Sequence, residues 1–323
     1  MRTPKFWNSR KPSLYRVLLY PLSILYRLAC SLRYLINIWP YQPRIPVICV
    51  GGLSVGGSGK TSMAIEIAKI LRDNYKSYCF LTRGYGGNNN ARKILRVNEY
   101  NNSPHIVGDE ALLLFEYGDT FVSRSKVRGL KYIDKHYDYD YVIVDDGLQN
   151  PTFIKSKKIL VLNCEYESID DSILPAGPLR ESFSRALRRG INLVVLIGKD
   201  KNHIGELCAK HSLAKIQGTI EPVNSDLREK YIAICGIGHP EKFRGTLEEN
   251  GVEIEDFIVF DDHHSYQDSD LEKIKKTGHN IITTKKDWVK IKNLNINKNK
   301  IHVLDIYIDF DDRTILERAL ISD

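Results

Sequence analysis

The run Gly51-Gly52-Leu53-Ser54-Val55-Gly56-Gly57-Ser58-Gly59-Lys60-Thr61 holds the residue types that grip a chain of phosphates. Glycines let backbone N–H groups turn inward, a helix N-terminus adds partial positive charge, and a lysine at this spacing reaches the β- and γ-phosphates. The hydroxyl of Thr61 is placed to meet Mg²⁺. Ser54, Val55, Gly56, Gly57, Ser58, Gly59, Lys60 and Thr61 are therefore the expected nucleotide-binding residues. The strict pattern wants glycine where Ser54 stands.

Such a site needs acids as well. The apolar strand expected at 141–144 ends in Asp145-Asp146, the form of a segment that sets a carboxylate near bound Mg²⁺. Gly108-Asp109-Glu110 opens an apolar helical run, for which capping is the plain reading. Arg83 begins the turn Arg83-Gly84-Tyr85-Gly86-Gly87, and Arg128 ends a basic stretch with Arg124 and Lys126. Farther on, Asp261-Asp262-His263-His264 closes one strand and Thr283-Thr284-Lys285-Lys286-Asp287 closes another. Gly236-Ile237-Gly238 hints at a dinucleotide turn but lacks the third glycine.

These groups need strands to carry them. Strands are expected at 45–50, 78–82, 141–144, 159–163, 193–197, 231–235, 257–260, 280–283 and 301–308. Helical patterns alternate with them. After the glycine loop, Met63, Ala64, Ile67, Ala68, Ile70 and Leu71 share one helical face. That alternation predicts an α/β chain with parallel sheets covered on both faces. Two α/β/α domains are expected: a P-loop NTPase-like domain at 43–190, and a second at 191–323 whose final helix may pack back on the first.

Segment 1–42 reads differently. A signal peptide is not expected, because Arg27 and Arg33 break the apolar run and no small-residue cleavage site follows. Three arginines also argue against a spanning helix, which wants about 20 predominantly apolar residues. A helix from Pro21 would put Leu22, Ile24, Leu25, Leu28, Ala29, Leu32, Leu35 and Ile36 on one arc. Ser23, Arg27, Ser31, Arg33, Tyr34 and Asn37 fill the other. Such a helix suits the membrane interface; docking on the protein's own core is the other reading. The net charge of +7 suits an anionic membrane surface, a phosphorylated substrate or RNA, and does not choose among them. The six cysteines are scattered with no Cys-x-x-Cys, which favours reduced thiols over a disulfide framework or zinc site.

Taken in order, these motifs resemble the tetraacyldisaccharide 4′-kinase (lipid A 4′-kinase) family. They are the loop Val50 to Thr61, Arg83-Gly84-Tyr85-Gly86, Gly108-Asp109-Glu110, Asp145-Asp146-Gly147-Leu148-Gln149, residues 174–181, Asp262-His263-His264 and Thr283-Thr284-x-Lys286-Asp287. That family also carries a hydroxyl where Ser54 stands. The chain departs from the family with Gly52 for asparagine, Ser54 and Ser58 for threonine, Ser62 and Ala111 for proline, Asn150 for histidine and Lys285 for glutamate.

The resemblance implies transfer of the γ-phosphate of ATP to the 4′-hydroxyl of a tetraacyldisaccharide 1-phosphate at the cytoplasmic face of a bacterial inner membrane, the enzyme being peripheral or monotopic. ATP and Mg²⁺ are the implied cofactors. The lipid and the membrane surface are the implied partners, with no nucleic acid and no obligate protein partner. Asp109 is implied as base, His263 as its partner from the other domain, and Lys60 as a catalytic cation. Thr61, Glu110, Asp145 and Asp146 are implied around Mg²⁺, and Arg83 and Arg128 around phosphate. One alternative is a P-loop GTPase or metallochaperone, because Thr284-Lys285-Lys286-Asp287 resembles the guanine-reading [Asn/Thr]-Lys-x-Asp motif.

Overall fold

The structure, a computed structural model, describes residues 4–7, 14–88, 93–98, 100, 103–164, 172–223, 227 and 229–321. Within the N-terminal 1–42, residues 1–3 and 8–13 thus lie outside the description.

Eight strands come first: β1 (Val47–Gly51), β2 (Tyr78–Thr82), β3 (Leu95–Arg96), β4 (Thr120–Val122), β5 (Tyr141–Val144), β6 (Lys157–Asn163), β7 (Leu193–Ile197) and β8 (Lys215–Pro222). Four more form a separate sheet: β9 (Lys230–Cys235), β10 (Glu253–Val259), β11 (Asn280–Thr284) and β12 (Ile301–Leu304). The last, β13 (Ile306–Phe310), returns to the first sheet. The large sheet runs β13-β8-β7-β6-β1-β5-β2-β4-β3 and the small one β10-β9-β11-β12. All pairings are parallel except β13 on β8 and β3 on β4, at the two edges.

The sheets do not divide at residue 190. β7 and β8 follow that position and continue the large sheet, pairing with β6 and each other. Leu193-Val194-Val195-Leu196-Ile197 is apolar at every position and wholly buried, as a strand covered on both faces must be. The changeover lies between Pro222 and Lys230. A second one splits the expected strand 301–308. Asp305 stands between β12 and β13, and its carboxylate accepts the Ile306 N–H at 2.9 Å. Thus β12 extends the small sheet and β13 the large one.

Each sheet is covered on both faces. Helix Lys60–Asp73 buries Met63, Ala64, Ile67, Ala68, Ile70 and Leu71 against β1 and its neighbours. Helix Arg313–Ile321 adds Leu316 and Leu320 to that same layer, so the final helix does pack on the first sheet. Helix Lys126–His136 lies on the opposite face through Leu130 and Ile133. Around the small sheet, Phe243 and Leu247 of Pro240–Glu249 fill one side, and Leu271 and Ile274 of Asp268–Thr277 the other. Helix Lys285–Ile291 joins the two units. Its Ile291 packs with the small sheet, and its Val289 with Ala111 and Leu112 of helix Asp109–Phe115.

Candidate active site

The glycine loop leaves β1, the strand between β5 and β6 where the order of connections reverses. In open parallel sheets, ligands gather beyond the carboxyl ends at such a point. The loop is pinned from outside by residues 174–181. Val55 N–H donates to Pro178 O at 2.9 Å, and Arg180 N–H donates to Leu53 O at 2.7 Å. Gly59 caps helix Lys60–Asp73 with φ 86°, a backbone state that glycine adopts without strain. Lys60 Nζ donates to Gly56 O at 3.1 Å and to Ser58 Oγ at 2.9 Å.

Thr61 Oγ1 donates to Asp145 Oδ2 at 3.2 Å. The other oxygen, Oδ1, is buried with no hydrogen-bond donor among the described residues. Burial and the charges of Glu110 and Asp146 push the Asp145 carboxyl up to about 7. A buried, crowded carboxylate with an unused oxygen beside a hydroxyl fits a divalent cation. Among the described residues, no three His, Cys, Asp or Glu side chains form a ready metal cage. Asp146 is placed differently. Its backbone is left-handed at φ 52°, and Arg180 Nη1 donates to its Oδ1 at 2.6 Å. Burial alone would raise its pKa, but Lys60 and Arg180 bring it below the usual range.

Asp109 starts its helix only 4% exposed. The turn Arg83 to Gly87 packs backbone to backbone on the residues before it. A Cβ on Gly108 would lie 2.3 Å from Tyr85 O, and one on Gly87 would lie 2.7 Å from Gly108 N. From the small sheet, His263 Nδ1 stands 2.8 and 3.0 Å from the two Asp109 carboxylate oxygens. Burial would raise the Asp109 pKa, yet the His263 hydrogen bond and the Lys286 charge lower it to about 2. The Tyr85 ring lies 5.2 Å from the imidazole. Arg83 and Arg128 are exposed beyond the carboxyl ends of β2 and β4, outside this pair. Glu110 donates its N–H to Asp109 Oδ1 at 2.9 Å.

A family model, tetraacyldisaccharide-1-P 4′-kinase, matches residues 15–322. The chain belongs to that family. A tetraacyldisaccharide 4′-kinase of Rickettsia canadensis is 33% identical over 326 residues, covering 98% of this chain and 96% of the relative. One from Rickettsia akari is 32% identical over 322 residues, with the same coverage. The crystal structure of Aquifex aeolicus LpxK in complex with ATP superposes with a TM-score of 0.76 at 27% identity, covering 95% of this chain and 98% of that one.

Family membership and the site geometry agree against a GTPase. A guanine-reading aspartate must reach the base, but Asp287 is wholly buried. Its Oδ2 accepts from Gly236 N–H at 3.0 Å and from Thr284 Oγ1 at 2.7 Å. Its Oδ1 lies 2.8 Å from Lys290 Nζ. The carboxylate ties the turn after β9 to the helix after β11.

On the far side of the glycine loop lies helix Leu14–Ile36. It begins before Pro21, which it accommodates within its length. The helix lays its polar arc on the protein and leaves its apolar arc outside. Ser23 Oγ donates to Ile173 O at 2.8 Å, Arg185 Nη1 donates to Ser31 Oγ at 2.9 Å, and the Arg189 guanidinium lies 4.4 Å from the Tyr34 ring centre. Leu18, Leu25, Leu28 and Leu35 are each 60% exposed or more. A fully buried leucine contributes about 1.5–3 kcal/mol, so a row of exposed ones is costly in water. No helix among the described residues is long and apolar enough to cross a membrane. Between this helix and the 173–188 segment is a cavity of about 390 Å³ lined by Arg27, Arg180, Arg185 and Arg188.

Several of these groups gave little sign of themselves in sequence. Lys126 is buried, and its Nζ donates to Leu81 O at 2.8 Å and Asp145 O at 2.9 Å. Burial lowers its pKa. Arg180 stood within a quoted motif without a role. Lys286 stood likewise, and its Nζ lies 3.8 Å from Asp109 Oδ2.

Proposed function

We propose that this chain transfers the γ-phosphate of ATP to the 4′-hydroxyl of a tetraacyldisaccharide 1-phosphate, forming lipid IVA in lipid A biosynthesis, at the cytoplasmic face of a bacterial inner membrane. The observation that carries this reading is the carboxylate–imidazole pair, Asp109 with His263, beside a phosphate loop and an outward-facing apolar helix. The exposed leucine arc supports a peripheral or monotopic seat in the membrane interface. The arginine-lined cavity next to Asp146 supports a phosphate-bearing lipid there. The loop amides from Ser54 to Gly59 and Lys60 neutralise the phosphates of ATP. Thr61 and Asp145 would hold Mg²⁺, with Glu110 and Asp146 close by. The cation would offset the negative charge of the phosphates. Arg83 and Arg128 meet phosphate at the rim.

The acceptor hydroxyl must lose its proton as it attacks. Asp109 alone is a feeble base, being far below an ordinary carboxyl near 3.9. Paired with His263, it orients the hydroxyl while the imidazole shares the proton. Incubation with ATP labelled at its γ-phosphate and the lipid disaccharide is expected to yield labelled lipid. Well-folded protein that labels none rejects the kinase reading. Location is tested separately: the protein should float with anionic vesicles, and Leu25→Asp with Leu28→Asp should abolish this. Flotation unchanged in that variant removes the helix from the membrane.

A further inference from the structure

We propose that Lys286 is a positioning residue for the Asp109–His263 pair; the inference rests on the kinase reading above. Its Nζ lies 3.8 Å from Asp109 Oδ2 and 3.9 Å from Asp262 Oδ1. His263 touches the same two acids, with Nδ1 2.8 Å from Asp109 Oδ2 and Nε2 3.8 Å from Asp262 Oδ2. The four side chains therefore close a ring in which anions alternate with an ammonium and an imidazole. Asp109 comes from the large sheet's side, and the other three from the small sheet's side. Asp262 Oδ1 is buried and has no hydrogen-bond donor among the described residues, so the ammonium is the cation that faces it.

This ring has a definite charge logic. With the imidazole neutral, two carboxylates and one ammonium leave a net negative charge. When His263 takes a proton, the ring becomes neutral. Without Lys286 the ring would stay negative even then, two carboxylates would face each other unscreened, and the Asp109 oxygens would lose one of the two cationic neighbours that fix them. The other charged or titratable groups facing the ring are Glu110 on the Asp109 helix, Asp287 and Lys290 on the Lys286 helix, and His239, ahead of helix Pro240–Glu249, which faces Asp262. Asp287 and Lys290 pair with each other at 2.8 Å.

The test compares Lys286→Met with Lys286→Arg, which keeps the charge. In Lys286→Met, kcat is expected to fall about 10-fold, with KM for ATP within about twofold; Lys286→Arg should recover most of the loss. A second readout needs no turnover. The His263 imidazole, assigned by its absence in His263→Gln, is titrated by NMR. Its midpoint is expected to move up in Lys286→Met, where a cation has gone, and to stay in Lys286→Arg. If Lys286→Met does not fold, Lys286→Gln is read in its place. An unmoved midpoint, or unchanged kcat in the folded neutral variant, overturns the proposal. Wild-type protein that transfers no phosphate rejects the kinase reading, and the titration still decides the role of Lys286.

Discussion

The phosphate loop and the Asp109–His263 pair are built in opposite ways. One continuous stretch makes the loop: strand, turn, helix, with Thr61 meeting Asp145 from the neighbouring strand at 3.2 Å. The pair joins residues 154 positions apart, one from each sheet's territory. The loop's geometry follows from local backbone rules, chiefly the left-handed Gly59 and the helix end behind it. The pair exists only if helix Lys285–Ile291 docks on helix Asp109–Phe115. That contact joins an apolar patch around Val289 with Lys285 and Lys292 on Glu116 at 3.1 and 2.8 Å. The phosphate loop is thus built on one sheet, and the carboxylate–imidazole pair spans two.

The largest break should come at the loop. Lys60→Ala is expected to cut kcat about 10³-fold, the upper range for one preorganised donor, and to weaken ATP binding measured by calorimetry. At the pair, Asp109→Ala and His263→Ala should each cost about 10²-fold in kcat, with ATP affinity kept. Their double variant should be no worse than the poorer single, as groups acting as one unit are not additive. If the two losses multiply, the residues act separately and do not form one catalytic unit. Gly108→Ala tests the backbone beneath Asp109. Its φ of 86° and the close approach of Tyr85 O predict about 2 kcal/mol of destabilisation, seen in denaturant melts, while the loop still binds ATP.

Glu116→Gln is the mildest change, acting on the docking contact alone. Burial would raise the Glu116 pKa, but Lys292 and Lys285 hold it below the usual value. A depressed carboxyl stabilises the fold above its unfolded pKa, near 4.3, and loses that contribution as pH falls through the folded value. Partial exposure screens the pair, so about 1 kcal/mol or less is expected at neutral pH. The difference between wild type and variant should vanish in acid. A difference that persists in acid would show that the contact is not ionic.

Local chemistry was legible in the sequence, and long-range assembly was not. The loop, the strand before Asp145 and the helix bearing Met63 and Ile67 follow from periodicity and glycine spacing. The Asp109–His263 pairing came only from family resemblance, since nothing local distinguishes Asp109 from a helix cap. Lys126 has no signature at all, because a buried lysine looks like any other until its carbonyl partners are known. The sheet boundary was hidden for a related reason. Alternating strands and helices give an order but not the edge each strand joins, and Asp305 divides one apolar run between two sheets.

The return of β13 has a consequence for biosynthesis. β13 pairs with β8, and helix Arg313–Ile321 beyond it anchors Arg313 to Asp73 of the phosphate-loop helix at 2.8 Å. Both leave the ribosome after the entire small sheet. A nascent chain that has made every residue of the phosphate loop still lacks the layer that covers its helix, and it shows an open β8 edge, a surface prone to aggregation. The ATP-binding half therefore matures late, and a chain cut ahead of Asp305 would be a substrate for chaperones rather than a smaller kinase.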